Sequence, residues 1–188
     1  MIRFTIPGPP PWLLLALVCP LACQGDDYTG VVSESPGKTF VIRAKYEDGE
    51  HLTEKIRFKD PDLAEVEIEA FSWRGDYYFS PDDRWILRIQ KVGVGQNEAM
   101  LYRVERNGRV SSVAGFDRDL WLASDKVSRL KRSQLFHTAT YQATWSKDSK
   151  SVEIRIGGSN NAVSGDGIQS LVTYDTTRHT YVAVPLAD

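Results

Sequence analysis

One stretch of this 188-residue chain, residues 77–90, constrains the fold more than any other. It begins with aromatic residues, continues through the turn Ser80-Pro81-Asp82-Asp83 and ends in an apolar run. Pro81 restricts φ to a value that suits a turn, and an aspartate side chain can accept hydrogen bonds from nearby backbone N–H groups. Side chains then alternate between two faces of a strand. One face carries Trp85, Leu87 and Ile89, and the other carries Ile86, Arg88 and Gln90.

A weaker copy of the same pattern occupies residues 143–156. Phe-Ser-Pro-Asp-Asp-Arg at residues 79–84 aligns with Trp-Ser-Lys-Asp-Ser-Lys at residues 145–150, and an apolar strand follows each. The two serines are 66 positions apart, and removal of a helical insert of about 20 residues brings this period into the propeller range of roughly 40–50. The alternative is that Ser-Pro-Asp-Asp is simply a good turn that recurs by chance.

These two motifs resemble the aromatic-Ser-Pro-Asp-Gly-Lys turn of TolB-like β-propeller repeats. The first departs from the family pattern at Asp83, where glycine is usual, and the second departs at Lys147 and Ser149. The resemblance implies four-stranded, blade-like antiparallel sheets. A closed propeller needs at least about four blades, which two copies and an N-terminal group of strands do not supply. We therefore expect an incomplete propeller or a small β domain.

The rest of the chain is consistent with a single mainly β domain over residues 39–188. Short alternating segments predict strands, and Asn107-Gly108 is a strong hairpin signal. The rhythm is interrupted once, where Leu120, Ala123, Val127 and Leu130 recur at helical spacing. This predicts one inserted amphipathic helix near residues 119–132.

The N-terminal region predicts export. Residues 1–23 combine an early positive charge, a short apolar run and a small-residue exit, as in a cleaved signal peptide. The alternative, a buried N-terminal helix, is disfavoured by four prolines among the first eleven residues. Leu21-Ala22-Cys23 resembles a bacterial lipobox, which makes Cys23 a candidate lipidation site; ordinary cleavage nearby is the alternative. Residues 24–38, rich in glycine and serine, predict a flexible linker.

The composition excludes several mechanisms. Both cysteines, Cys19 and Cys23, lie in the leader, which leaves no cysteine nucleophile or cysteine zinc site in the folded part. The net charge is −2 and the signs are mixed, so nothing indicates nucleic acid as a partner. The three histidines are isolated, and no phosphate-binding loop or nucleophile elbow is present. We therefore assign no catalytic, cofactor-binding or metal-ligating residue and expect the turn aspartates to cap backbone groups.

Three aromatic residues, Trp73, Tyr77 and Tyr78, form a candidate binding surface, although aromatic residues at strand spacing more often pack in a core. The first hypothesis is an exported, non-catalytic module that binds a protein or belongs to an envelope assembly. It would be periplasmic or secreted, and any membrane attachment would be through lipid on Cys23. The second hypothesis is a hydrolase whose Asp and His are brought together by the fold. The third is oligomerisation, in which several chains pool blades to close a ring.

Overall fold

The structure is a computed structural model that describes residues 29–47, 51–160 and 167–186. These residues form three four-stranded antiparallel sheets in which consecutive strands pair. The first sheet contains β1 (Thr29–Glu34), β2 (Phe40–Glu47), β3 (His51–Phe58) and β4 (Val66–Ile68). The second sheet contains β5 (Asp76–Phe79), β6 (Trp85–Gly93), β7 (Gln96–Val104) and β8 (Val110–Ser112). The third sheet contains β9 (His137–Trp145), β10 (Ser151–Ser159), β11 (Gly167–Asp175) and β12 (Thr180–Pro185). The predicted fold class is confirmed.

The second sheet lies between the other two and buries both of its faces. Strand β6 shows this most clearly, because its first six residues are all buried. The predicted alternation of its side chains between two faces is also confirmed, because Trp85, Leu87 and Ile89 lie in one core and Ile86 lies in the other. The core shared with the first sheet includes Phe40, Ile42, Ile56, Phe58, Ile86, Tyr102 and Val104. The core shared with the third sheet includes Trp85, Leu87, Ile89, Leu101, Val152, Ile154, Ile156 and Val172.

Three turns of the same geometry connect the first two strands of each sheet. Each begins with a serine whose N–H donates to a carbonyl five residues later: Ser35 to Phe40 (3.1 Å), Ser80 to Trp85 (3.0 Å) and Ser146 to Ser151 (2.9 Å). The fourth residue of each turn is left-handed, namely Lys38, Asp83 and Ser149, with φ of 57°, 56° and 60°. The two predicted copies therefore form one kind of turn, and a third copy precedes them.

The first turn corrects the predicted linker over residues 24–38. Residues 29–34 are strand β1, which pairs with β2, and residues 35–38 form a turn. The glycine and serine content concealed a strand in which Val32 packs against the core between the first and second sheets. The predicted signal peptide, Cys23 and residues 24–28 lie outside the described residues, so the leader stays a prediction.

The turns also hydrogen-bond to one another across the sheets. Asp83 accepts from Ser35 Oγ (3.0 Å), from the Gly37 N–H (3.0 Å) and from Thr39 Oγ1 (2.7 Å) of the first turn. In the same way, Ser149 Oγ of the third turn accepts from the N–H of Asp82 at 3.1 Å. The left-handed residue of each later turn thus binds the third residue of the preceding turn. The Asp82 carboxylate caps its own turn, accepting from Ser80 Oγ and the Arg84 N–H.

The inserted helix, α1 (Phe116–Val127), begins three residues earlier and ends five residues earlier than the predicted helix near 119–132. It begins after Gly115, whose φ of 70° suits glycine. It ends at Ser128, which is extended and whose hydroxyl lies 3.0 Å from Ser170 Oγ. The helix packs against β7 of the second sheet and against β11 and β12 of the third, so it lies between these two sheets. No helix in the described part of the chain has the length and hydropathy of a membrane span.

The outward faces of the first and third sheets carry many polar side chains. Cross-strand ion pairs join Lys55 to Glu67 and Arg57 to Glu65, both at 3.7 Å, on the first sheet. On the third sheet, the outward-facing polar residues Glu153, Arg155 and Gln169 are exposed. Exposed apolar residues also occur in the outermost strands, namely Val31 in β1 and Val182 and Val184 in β12. The oligomerisation hypothesis stays a prediction.

Candidate functional site

The three predicted binding-surface residues do not lie on one face. Tyr77 faces the first sheet and stacks on Phe79, with ring centroids 6.4 Å apart. Tyr78 faces the third sheet, as expected for the next residue of a strand, and its carbonyl accepts from Trp145 Nε1 at 3.1 Å. Both tyrosines are only partly exposed, whereas 44% of Trp73 is exposed. Trp73 is therefore the only one of the three that presents a large apolar surface to a partner.

A buried ion pair joins the first and second sheets beneath this region. Arg88 Nη2 lies 2.5 Å from Glu54 Oε2, and both side chains are almost fully buried. Arg88 Nη1 also donates to the Glu69 carbonyl at 2.7 Å, and the guanidinium lies 4.9 Å from the Phe71 ring centroid. Burial raises the pKa of the nearby Tyr77 hydroxyl. Glu54 was not among the residues predicted from the sequence, although its position on the same strand face as Ile56 was an available signal.

Trp73 is held at the end of the second sheet where β6 and β7 join, which we call the hairpin end. Its carbonyl accepts from Gln90 Nε2 at 2.8 Å, and Lys91 Nζ lies 4.7 Å from its ring centroid. Val94, at the tip of the hairpin, is 86% exposed. The neighbouring Gly95 packs so closely on His137 that a Cβ there would lie 2.3 Å from the imidazole.

Phe136 provides a second exposed aromatic side chain at the hairpin end. It is 64% exposed, and its ring meets that of His137 edge-on at 4.6 Å. Its backbone N–H donates to the Ser159 carbonyl at 2.9 Å, which fixes it to the third sheet. Trp73, Val94 and Phe136 thus expose apolar surface around one hairpin. All three are attached to strands or to anchored loops.

Two adjoining clefts, each of about 470 Å³, open between the second sheet and the segments around α1, and one of them is lined by Phe136. They share Glu98 and Arg132, and the cleft next to Phe136 lies between β7 and a 3₁₀ turn, Arg132–Gln134. Its lining combines apolar side chains with two acids, one arginine and three neutral polar residues: Val92, Gln96, Glu98, Asp125, Arg132, Ser133, Leu135, Phe136 and Thr138. We call this the hairpin cleft.

Arg132 is fixed in the wall of the hairpin cleft. Its Nη1 lies 2.9 Å from Asp117 Oδ2, and its guanidinium stacks 5.2 Å from the Trp121 ring centroid. Its backbone N–H donates to Asp125 Oδ1 at 2.8 Å. The other oxygen of Asp117 accepts from the Ala99 N–H at 3.0 Å. Arg132 therefore already forms an ion pair, a ring contact and a hydrogen bond within the fold.

Glu98 differs from these groups because it has no hydrogen bond or ion pair to any residue that the structure describes. Its side chain is partly buried in β7 where the two clefts meet. Burial, followed by the nearby Asp117 carboxylate, raises the pKa of Glu98 above its ordinary value, and Arg132 opposes that shift. The fold thus places a carboxylate in a cleft without supplying a bonded cation.

The hydrolase hypothesis requires a histidine and a carboxylate within hydrogen-bond reach. Among the described side chains, His137 packs on Phe136 and His179 Nδ1 lies 2.7 Å from the Tyr174 hydroxyl. Neither forms a hydrogen bond to a carboxylate, and the His51 side chain lies outside the described residues. No metal-binding group of three or more His, Cys, Asp or Glu residues occurs within the described ranges.

The comparisons with known proteins assign no family to this chain. No family model matches this chain. No curated protein matches it either. Among solved structures, the crystal structure of TolB from Acinetobacter baumannii is similar over 83% of this chain and 32% of that chain, with 12% identity and a TM-score of 0.39. This chain thus spans about a third of the length of that protein.

Proposed function

We propose that this protein is a non-catalytic module that binds another protein at the hairpin end of its second sheet. The observation that carries the proposal is the exposure of Trp73, Val94 and Phe136 around a single hairpin. Large aromatic side chains contribute much of the binding energy in protein interfaces. Among the originally predicted surface residues, Trp73 is retained in this proposal, whereas Tyr77 and Tyr78 support it from within the fold.

The scaffold beneath the hairpin end supports this role. Strand β6 is buried on both faces, and the ion pair of Glu54 and Arg88 lies beneath the Trp73 loop. A surface that is already ordered loses less conformational entropy on binding. The hairpin end is therefore suited to recognition without a large rearrangement.

We further propose that the module acts outside the cytoplasm, in an envelope assembly or as a secreted protein. This rests on the signal-like composition of residues 1–23 and on Cys23 as the candidate lipidation site. A lipid on Cys23 would connect the protein to a membrane surface through the segment that precedes β1.

Site-specific photo-crosslinking in the native cells tests the binding surface. A benzophenone amino acid replaces Trp73 or Phe136, and the matched control replaces Val184, which is 49% exposed on the third sheet. We expect the same partner band from positions 73 and 136 and its absence from position 184. Failure of both hairpin positions to form an adduct, with all three proteins folded and exported, would contradict the proposal.

A further inference from the structure

We propose that the hairpin cleft receives a lysine or arginine side chain from an extended segment of a protein partner, and that an apolar residue beside it packs on Leu135 and Phe136. The inference rests on the proposed binding function and specifies its ligand chemistry. It is carried by the combination of an unpaired carboxylate with an exposed apolar wall in one cleft.

The charges favour a cation. Four carboxylates, those of Glu69, Glu98, Asp117 and Asp125, line the two adjoining clefts, and two arginines, Arg118 and Arg132, accompany them. Arg118 is paired with Asp119 at 2.9 Å, and Arg132 is paired with Asp117. Glu98 is left without a bonded cation among the described residues. A cationic side chain that entered the cleft would supply one.

The geometry favours a long, flexible cation over a compact ion. Glu98 lies in strand β7 where the two clefts meet, and it lines the hairpin cleft together with Leu135 and Phe136. Lysine and arginine have apolar stems that can cover such a wall while the charged group reaches an acid in the same cleft. The four acidic side chains also disfavour phosphate-bearing ligands, because like charges repel.

The apolar wall is rigid enough to select a neighbouring side chain. Leu135 packs against the core between the second and third sheets, and its N–H donates to the Arg132 carbonyl at 3.1 Å. Phe136 is held by its contact with His137 and its bond to Ser159. A basic residue flanked by apolar residues therefore complements both parts of the cleft.

The test uses NMR titration of the ¹⁵N-labelled protein with a capped pentapeptide that has arginine between two leucines. A second peptide carries citrulline, which is nearly isosteric with arginine but neutral. We expect saturable shifts of the Gln96, Glu98 and Thr138 amides with the arginine peptide and at least tenfold weaker binding of the citrulline peptide. Equal binding of both peptides, or an absence of shifts, would overturn the proposal.

Two variants complete the test. Glu98→Gln should weaken the arginine peptide at least tenfold, whereas Glu153→Gln, on the exposed face of the third sheet, should leave its Kd unchanged. The thermal midpoint of Glu98→Gln shows whether the variant is folded. If crosslinking at Trp73 and Phe136 succeeds but the arginine peptide does not bind, the binding function stands and the cation preference is refuted. If the arginine peptide binds but crosslinking fails, the cation preference of the cleft stands and the hairpin end is refuted as the protein-binding surface.

Discussion

Replacement of Asp83 tests whether the hydrogen bonds between the turns of the first and second sheets stabilise the fold. Asp83 has a left-handed φ of 56°, a conformation that favours glycine. Asp83→Gly should therefore be neutral or stabilising if the turn acts alone. It should be strongly destabilising if the bonds from Asp83 to the first turn matter.

The structure gives the expected magnitude. Asp83 is 8% exposed and accepts three short hydrogen bonds, from Ser35, Gly37 and Thr39. A hydrogen bond to a charged group contributes about 1.5–3 kcal/mol, so even the low end gives about 4.5 kcal/mol for the three. Glycine would recover about 1.5 kcal/mol of backbone strain. The expected loss in the free energy of unfolding is about 3 kcal/mol.

Urea denaturation of Asp83→Gly, compared with Asp82→Ala, measures this loss. Asp82 bonds within its own turn, so its replacement should cost only about 0.5–2 kcal/mol, as for a lost helix cap. With an m-value of about 2 kcal/mol/M, the midpoint of Asp83→Gly should fall by about 1.5 M. A midpoint equal to or above that of the wild type would refute the role given to Asp83.

Four further predictions follow from the core, the ion pair, the cleft and the leader. Trp85→Ala should cost about 3–5 kcal/mol in urea unfolding because it leaves a cavity between the second and third sheets; a cost below 1 kcal/mol would contradict that packing. Glu54→Gln should cost about 3–5 kcal/mol because it leaves the Arg88 charge buried and unpaired; the double variant Glu54→Leu/Arg88→Met should recover much of the loss, and an additive result would argue against the pair. Because the pKa of Glu98 is raised in the folded state, its contribution to stability should fall as pH rises through the window between its unfolded and folded pKa values; Glu98→Gln should flatten that slope in thermal melts at pH 4–7, and an unchanged slope would contradict the assignment. N-terminal sequencing of the exported protein should show that residues 1 to about 23 are absent, and labelled palmitate should mark the wild type but not Cys23→Ser if the protein is a lipoprotein; a product that begins at Met1 would refute the leader.

Much of the fold could be predicted from local patterns. The alternation in residues 85–90 identified the two faces of β6 because each side chain position depends only on the strand period. Ser80 and Ser146 marked two turns because serine and the following residues bond within five positions. The insert was recognised from Leu120 and Ala123, which are both buried.

The first turn and the end of the helix were missed because the local sequence pattern was misleading there. Ser35-Pro36-Gly37-Lys38 lacks the acidic third residue of the other turns, so its likeness to them emerges from Ser35 and the left-handed Lys38. The helix was extended too far because Leu130 packs against the same core after the helix has ended.

The hairpin cleft had no sequence signal of its own. Glu98, Asp125 and Arg132 come from a strand, a helix and a 3₁₀ turn, and only the packing of α1 against β7 brings them together. Nothing in the spacing of these residues distinguishes them from ordinary surface charges. The same holds for Phe136, whose exposure follows from the position of the segment between α1 and β9.

The burial of β6 on both faces has a consequence for how the array comes apart. In a simple stack of repeats, a terminal unit can fray while the remainder stays folded, because each unit contacts only its neighbours. Here, detachment of the first sheet would expose Ile86 and Tyr102 to water and would leave Arg88 without its carboxylate partner. Hydrogen exchange should therefore show β2, β3 and β6 opening together at one free energy. A truncated chain without the first sheet would expose one apolar face of the second sheet to water. The three sheets should therefore fold only as a single unit.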